Sequence, residues 1–430
     1  MTTAASTVAT AISSRLEARF AAELAGVEDA TLVRRCADVT ELLSAAESGA
    51  VTVAAISPDF PGMNGSVVAE LTVRGASVLG VVSATSALDE RQCEAWSLRR
   101  THVVGSGELA RALDGLGRAT GEPDPSDGAD CAAGVPSVRR GEDDTTDDEE
   151  RAGAPATTRI VVWGPPGAPG RTTCATHLAQ VLSESGPTLL VDADTVAPSC
   201  ASHLGLLDEA PGILAAARLV DAGTLNLHQL RSVVAHVGSQ LDVLTGIGHG
   251  GRWHELTRFH LARILDLAAQ HYRWIVVDVA ADVETDESLL FDTIAPSRAA
   301  ASIEAFESAD HVVALAACDP VSLQRFVQHA PSVMSAHDGV RVVVSKARES
   351  AVGGAPATVV SDALERFAGT RAVAVLPDVR DALDVAMLAG TLLTERTGAA
   401  YLAAVRGLAE QLGAEAPPVA TRRRGLLRRR

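Results

Sequence analysis

The chain has 430 residues, 47% hydrophobic but only 3% aromatic, which is long enough for two or three domains with aliphatic cores. No apolar run approaches the roughly 18–20 residues of a membrane span, and the first residues lack the basic and apolar regions of a signal peptide. Six scattered cysteines without a C-x-x-C pair argue against a zinc site or a disulfide framework. We therefore expect a cytoplasmic α/β protein. Its formal net charge is −17.

Residues 1–117 contain five strand–helix repeats. The apolar runs VATAIS, TLVRRC, VTVAAIS, SVLGVVSAT and THVVGS alternate with helical patterns such as RLEARFAAELAG and DVTELLSAAES. This alternation predicts a parallel sheet with helices on both faces.

The segment ISPDFPGMNG, residues 56–65, resembles the loop after the third strand of response-regulator receiver domains, where PGMNG follows a phosphorylated Asp by four positions. Ser57 stands at that acceptor position, and Ser83 matches the small hydroxyl residue after the fourth strand. The acidic pair after the first strand and the Lys after the fifth, which a phosphoryl pocket needs, are missing. The resemblance implies a receiver-like, flavodoxin-like sheet that acts as a pseudo-receiver in docking or dimerisation. The alternative is an unrelated small α/β domain in which PGMNG is only a turn.

Residues 118–157 are predicted to form a flexible acidic linker between two domains. From 119 to 158 there are 11 Asp and Glu against 3 Arg, with few large apolar side chains. Such a segment cannot bury enough surface to offset its ordering entropy.

The stretch WGPPGAPGRTT, residues 163–173, lies between the apolar run IVV and the helix-like run CATHLAQVLSE. A phosphate-binding loop G-x-x-x-x-G-K-[ST] has this context, because backbone N–H groups surround the phosphates, a Lys reaches the terminal phosphates and a hydroxyl binds Mg²⁺. Here Pro165 replaces the opening Gly, Arg171 replaces the Lys, and Pro169 removes a possible N–H donor. A plain Pro/Gly turn without a ligand is the alternative.

Two later apolar runs end in acids. The run GPTLLVDAD carries Asp192 and Asp194, and the run YRWIVVD carries Asp278. Strands that deliver carboxylates beside a phosphate loop are the arrangement that holds Mg²⁺ and positions an attacking water.

With these features, residues 158–412 resemble the MinD/ParA family of deviant P-loop ATPases. With the receiver-like domain in front, the chain looks most like CpaE-type proteins, which help to localise pilus or secretion assemblies and whose close relatives act in septum placement. The resemblance implies a doubly wound P-loop NTPase sheet with ATP and Mg²⁺ as cofactors. The implied partners are a second copy in a homodimer and pilus, secretion or division proteins.

The resemblance assigns a role to each matching residue. The phosphate-loop positions are Gly167, Gly170, Arg171, Thr172 and Thr173. The metal positions are Thr172, Asp192 and Asp278, and Asp194 orients water while Arg171 acts on phosphate. Ser345 stands where the family often has an Asn that reads adenine, which weakens base recognition, and Pro377 and Asp378 match the segment that lines the base.

One departure affects the expected activity. The family's signature Lys reaches across a nucleotide-sandwiched dimer, and Pro166 stands in its place. We therefore expect ATP binding with slow or absent hydrolysis. A nucleotide-free scaffold and a DNA-bound ParA-type ATPase are alternatives, although the net charge of −17 argues against specific nucleic-acid binding.

Residues 413–430 form a basic tail, with six Arg in the last nine residues. Such a tail can attach to an anionic membrane surface, in the manner of the C-terminal segment of MinD, which would place the protein at the inner face of the membrane. Binding to nucleic acid, folding back on the acidic linker and a plain solvated tail are the alternatives.

Overall fold

The computed structural model describes residues 6–84, 86–98, 100–114, 116, 157–167, 170–206, 210–282 and 297–415. Most of the predicted linker, 118–157, and of the predicted tail, 413–430, lies outside these residues. The chain divides into two compact units. None of the described helices has the length and apolar composition needed to cross a membrane.

The first unit is a five-stranded parallel sheet with helices between the strands. The strands are β1 (Ser6–Ala11), β2 (Ala30–Arg35), β3 (Val53–Ile56), β4 (Ser77–Val82) and β5 (Arg100–Val103), in the order β2-β1-β3-β4-β5. The helices are α1 (Ser14–Leu24), α2 (Val39–Glu47), α3 (Gly65–Val73), α4 (Ala87–Ala95) and α5 (Leu109–Leu113). This flavodoxin-like order confirms the predicted parallel α/β sheet.

The core and the helix starts of the first unit follow from simple sequence features. Phe20 of α1 packs with Val8, Val53 and Leu79 in the buried cluster on one side of the sheet. The Asp38 side chain accepts a hydrogen bond from the Glu41 N–H and so caps the start of α2.

The second unit is built around an eight-stranded sheet. The strands are β6 (Thr158–Trp163), β7 (Thr188–Ala193), β8 (Ala235–His236), β9 (Leu241–Leu244), β10 (Trp274–Val279), β11 (His311–Ala317), β12 (Val340–Ala347) and β13 (Ala372–Pro377). Their order is β13-β12-β11-β6-β10-β7-β9-β8, parallel except for the antiparallel pair β8–β9. The predicted doubly wound sheet is therefore confirmed.

Helices connect these strands. They are α6 (Arg171–Leu182), α7 (Cys200–His203), α8 (Gly212–Asp221), α9 (Leu227–Val233), α10 (Arg258–Ala268), α11 (Ala300–Glu307), α12 (Pro320–Ala336), α13 (Glu349–Val352), α14 (Pro356–Ala368), α15 (Arg380–Leu388) and α16 (Glu395–Gln411), together with the 3-10 helix Gly250–Glu255. All residues of β7 and β10 are buried, as expected for central parallel strands that are covered on both faces. The buried side of α6 packs on α16 through Leu178, Leu182 and Val405.

The strand order places one edge of the sheet in a position to hold a ligand. From β6 the chain passes to β7 on one side of the sheet, while β11 lies on the other side of β6. Ligands of open α/β sheets bind at such a switch point, outside the carboxyl ends of the strands.

Candidate functional site

The loop after β6 leads directly into the first turn of α6 at this switch point. Gly167 and Gly170 both have left-handed backbone conformations, with φ of 73° and 107°, and Gly170 is the N-cap of α6. These conformations favour glycine because it lacks a Cβ. The N–H groups of the first turn of α6 have no acceptor within the helix, so the helix start offers donors to an anion. Pro165 and Pro166 have no N–H to add, and Pro169 lies outside the described residues.

The predicted metal residues come together at the start of α6. Asp278 of β10 is the register partner of Asp192 in β7, so the sheet itself places the two carboxylates side by side. The Thr172 hydroxyl lies 2.6 Å from Oδ2 of Asp278 and 3.0 Å from the Ser199 hydroxyl. The loop and the two acidic strands therefore form one cluster.

The two aspartates are buried, and their surroundings differ. Oδ2 of Asp192 accepts hydrogen bonds from the N–H groups of Ser199 and Cys200, both at 2.9 Å. Oδ1 of Asp278 is buried without a hydrogen-bond partner among the described residues. Burial raises the pKa of Asp192, and the charge of Asp278 raises it further. Burial also raises the pKa of Asp278, against the lowering effect of its hydrogen bond with Thr172.

This donor set fits Mg²⁺. The ligand atoms of Asp192, Cys200 and Asp278 lie within 4.8 Å of one another, and Mg²⁺ prefers carboxylate and hydroxyl oxygens. An ion there would satisfy the unpartnered Oδ1 of Asp278 and relieve the repulsion between the carboxylates. The thiol of Cys200 is a softer group that Mg²⁺ does not favour, and it lies 3.8 Å from Oδ2 of Asp278 as a weak hydrogen-bond donor.

Arg171 and Asp194, which the resemblance gives separate roles, form an ion pair. Nη2 of Arg171 lies 3.0 Å from Oδ2 of Asp194, and Nη1 donates to the Gly164 carbonyl at 3.2 Å. Oδ1 of Asp194 accepts the N–H groups of Val196 and Ala197, each at 2.8 Å. Both oxygens of Asp194 therefore accept hydrogen bonds. The Arg171 guanidinium, which the resemblance assigns to phosphate, is paired with the carboxylate that the resemblance assigns to water.

A cleft of about 150 Å³ lies at the Gly170 end of the loop. Its lining includes the predicted residues Gly170, Thr173, Ser345, Pro377 and Asp378, together with Tyr401. Asp378 is balanced by arginines, with Arg348 at 3.2 Å and Arg380 at 3.6 Å. The residues that the resemblance assigns to the base thus share one depression beside the loop.

The backbone of this cleft is unusual at Lys346, the single lysine of the chain. Lys346 has a φ of 52°, and the pairing of β12 with β13 shifts register between Val344 and Ala347. A bulge of this kind re-aims side chains at the end of a strand, and non-glycine residues with positive φ cluster at functional sites.

A larger cavity, about 490 Å³, opens at the Gly167 end of the loop. It is lined by residues that include Trp163, Pro166, Arg171, Asp194, Arg298 and His329. The loop thus has a narrow cleft at one end and a wider cavity at the other.

His177, which the sequence did not indicate, contacts the backbone at the end of the loop. His177 of α6 accepts a hydrogen bond from the Leu393 N–H at Nε2, so its proton lies on Nδ1, 2.7 Å from the Thr173 carbonyl. Burial lowers its pKa to about 4. The neutral ring also packs edge-on against Tyr401, with centroids 5.4 Å apart. His177 lies one turn after Thr173, which is the only signal the sequence offers.

In the first unit, the carboxyl ends of β1 and β3 hold the receiver-like residues. The Ser57 hydroxyl is buried and accepts the Ser13 N–H at 2.8 Å. Arg15, soon after β1, lies 3.0 Å from Asp59 and 3.5 Å from Asp89. A cation thus follows β1, where receiver domains have acids, and the pseudo-receiver interpretation stays a prediction.

Comparison with known proteins shows the fold of the chain. No family model and no curated protein matches its sequence. A ParA family ATPase from Chlorobium tepidum TLS matches with a TM-score of 0.50 at 17% identity, over 59% of this chain and 99% of that one. The MinC:MinD cell division complex of Aquifex aeolicus gives 0.46 at 17% identity, over 61% and 98%. The septum site-determining protein MinD of Pyrococcus horikoshii OT3, complexed with Mg-ADP, gives 0.45 at 16% identity, over 60% and 96%. The first of these matches shows that 59% of the chain has the P-loop fold of ParA-type ATPases.

Proposed function

We propose that this protein is a MinD/ParA-like regulator that binds ATP with Mg²⁺ and hydrolyses it slowly or not at all. The observation that carries the proposal is the cluster of Thr172, Asp192 and Asp278 at the start of α6. Here a helix N-terminus, a hydroxyl and two carboxylates lie together at the switch point of the sheet. These are the groups that a magnesium nucleotide requires.

Each part of the site has a role in this proposal. The first turn of α6 would bind phosphate through its N–H groups, and the cleft at Ser345 and Pro377 would take the base. Thr172, Asp192 and Asp278 would hold Mg²⁺, which neutralises phosphate charge when bound. Asp194 would orient water once it is released from Arg171.

The observed contacts support slow turnover as part of this proposal. Oδ1 of Asp194 already accepts two backbone N–H groups and Oδ2 accepts Arg171, so a water would have to share Oδ2 with the guanidinium. Pro166 supplies neither a cation nor an N–H to the loop. Positioned donors that stabilise the charge of the transition state usually contribute most to the acceleration of such a reaction. This loop offers fewer of them than a loop with the pattern G-x-x-x-x-G-K-[ST].

The same contacts favour a second candidate, a nucleotide-free scaffold. The Arg171–Asp194 pair joins two of the proposed site residues to each other, and the fold could then serve protein contacts alone. The two candidates differ in a single property, which is nucleotide binding.

At the level of the cell, we propose a CpaE-like role in localising an envelope machine, such as a pilus or secretion assembly or the division septum. The domain organisation belongs to this proposal: a pseudo-receiver for docking (1–117), an acidic linker (118–157), a nucleotide-binding domain (158–412) and a basic tail at the membrane (413–430). A bound nucleotide would shift a conformational or dimerisation equilibrium only through its different affinity for the two states.

Calorimetric titration of the full chain with Mg·ATP and Mg·ADP tests the proposal. Micromolar binding that Thr172→Ala weakens by at least about tenfold is the expected result, because that change removes a hydroxyl from the charged cluster. Thr358→Ala, at an exposed position of α14, is the matched control and should bind as the unaltered chain does. Absence of binding at millimolar nucleotide would favour the scaffold.

A further inference from the structure

A second arginine lies against the phosphate loop, and it comes from a distant part of the chain. Arg325 is on α12, and its Nη1 lies 3.4 Å from the carbonyl oxygen of Pro166. A Cβ on Gly167 would lie only 2.1 Å from the same Nη1. The glycine therefore leaves open the space that the guanidinium occupies.

The charge of Arg325 is available, whereas that of Arg171 is not. Arg171 is already paired with Asp194, while Asp192 and Asp278 add further negative charge to the site. In the part of the chain that the structure describes, no carboxylate lies within ion-pair distance of Arg325, whose contact is a backbone carbonyl. A triphosphate would add more negative charge. Arg325 could neutralise part of it through charge-assisted hydrogen bonds to phosphate.

The position of Arg325 matches one end of the nucleotide. His329 follows it by one helical turn on α12 and lines the 490 Å³ cavity at the Gly167 end of the loop. The cleft with Ser345 and Pro377 lies at the opposite, Gly170 end. A nucleotide with its base in that cleft has its terminal phosphate toward Gly167, and therefore toward Arg325.

We propose that Arg325 binds the terminal phosphate of a nucleoside triphosphate within the same chain, and so supplies the charge that Pro166 does not. This inference rests on the proposed function. It makes the site selective for triphosphate over diphosphate, and it does so without a residue from a partner subunit.

Calorimetry on the full chain tests the inference, with a non-hydrolysable ATP analogue and ADP as probes, both with Mg²⁺. Arg325→Ala should weaken binding of the ATP analogue by about tenfold or more and change ADP binding less than about twofold, because only the analogue has the third phosphate. Arg325→Lys should recover part of the loss, since it keeps the charge but not the bidentate fork. Arg325 is exposed, so neither variant disturbs the core.

Arg366→Ala is the control, since it removes one positive charge from an exposed position of α14 that stacks on Phe367. An equal loss for both nucleotides in Arg325→Ala, or no loss, would overturn the inference. An unaltered chain that binds both nucleotides equally would overturn it while leaving the proposed function intact. An unaltered chain that binds neither would remove both, and this is seen before any variant is made.

A dilution series separates action within one chain from action across a dimer. The preference for the ATP analogue should persist at concentrations where light scattering shows a monomer. A preference that appears only in the dimer would contradict an Arg325 that acts within its own chain.

Discussion

Thr172 and Asp278 are joined by a 2.6 Å contact although 106 positions separate them in the chain. The contact connects the first turn of α6 to the end of β10, and it turns a loop and a strand into one site. The other oxygen, Oδ1 of Asp278, is buried and has no hydrogen-bond partner among the residues that the structure describes. An unsatisfied buried carboxylate oxygen is costly in the free protein, and a bound cation would remove that cost.

Asp278→Asn should make nucleotide binding less dependent on magnesium. In the unaltered chain, replacing Mg²⁺ with a chelator should weaken ATP binding by about tenfold or more, because the phosphate and carboxylate charges are then unshielded. In Asp278→Asn the magnesium effect, measured by calorimetry, should be several-fold smaller, because only Thr172 and Asp192 remain to hold the ion. Asp362→Asn, at an exposed position of α14, should keep the full magnesium effect. A magnesium effect as large in Asp278→Asn as in the unaltered chain would exclude this carboxylate as a ligand.

The Arg171–Asp194 pair should contribute strongly to the stability of the free protein. The Asp194 side chain is only 2% exposed, so Arg171→Met leaves a buried charge without its partner and should lower the free energy of unfolding by about 3 kcal/mol. Adding Asp194→Asn should recover part of the loss, since the amide oxygen can still accept the N–H groups of Val196 and Ala197.

Urea denaturation measures both changes, and a surface pair provides the comparison. Arg371 and Glu365 are 72% and 52% exposed, so Arg371→Met should cost less than about 1 kcal/mol. Equal costs for Arg171→Met and Arg371→Met would show that the pair at the loop is not formed.

His177 should make the protein less stable in mild acid. Its folded pKa, about 4, lies below its ordinary value of 6.5, so the unfolded chain binds the proton more readily between these values. The neutral ring's contribution is therefore complete above about pH 6.5 and falls with pH, by about 2 kcal/mol between about pH 7 and about pH 5. His177→Gln should lack this loss.

Urea denaturation at a series of pH values isolates this effect, since the difference between the unaltered chain and His177→Gln removes the contribution of groups that both share. His228→Gln, at an exposed position of α9, is the matched control. Parallel stability curves for the unaltered chain and His177→Gln would contradict the assignment of a neutral, buried ring.

The basic tail should give weak binding to anionic vesicles that salt abolishes. Each basic residue near such a surface contributes about 1 kcal/mol, and the last nine residues carry six Arg. Cosedimentation with vesicles of phosphatidylserine and phosphatidylcholine should show binding that is lost on truncation after Val419. Phosphatidylcholine vesicles alone are the control. Binding that persists after truncation would assign the membrane contact to another part of the chain.

The sequence predicts the sheets well because their signal is local. The five apolar runs of the first unit and the runs ending in Asp192 and Asp278 are short parallel strands, and each is visible in a few residues. The strands β3, β7 and β10 are buried throughout, which makes their apolar runs continuous. The two-residue strand β8, Ala235–His236, has no such pattern, and it forms only because it pairs with β9.

The sequence predicts that Thr172, Asp192 and Asp278 lie together, but it does not reveal the ion pairs around them. Asp192 and Asp278 share a strand register, so their proximity follows from the topology. The Arg171–Asp194 pair and the contact of Arg325 with the loop depend on side-chain directions across 23 and 159 positions. Neither spacing produces a periodic pattern. Both contacts nevertheless determine which positive charges lie beside the loop.

Retention of labelled ATP by an excess of the full chain, followed by chemical analysis of the retained nucleotide, tests most directly whether the site binds ATP without efficient hydrolysis. We predict that ATP with Mg²⁺ is retained, that Thr172→Ala loses it, and that the retained nucleotide is still ATP after many minutes. No retention at millimolar protein, or rapid conversion of the bound ATP to ADP, would contradict such a site.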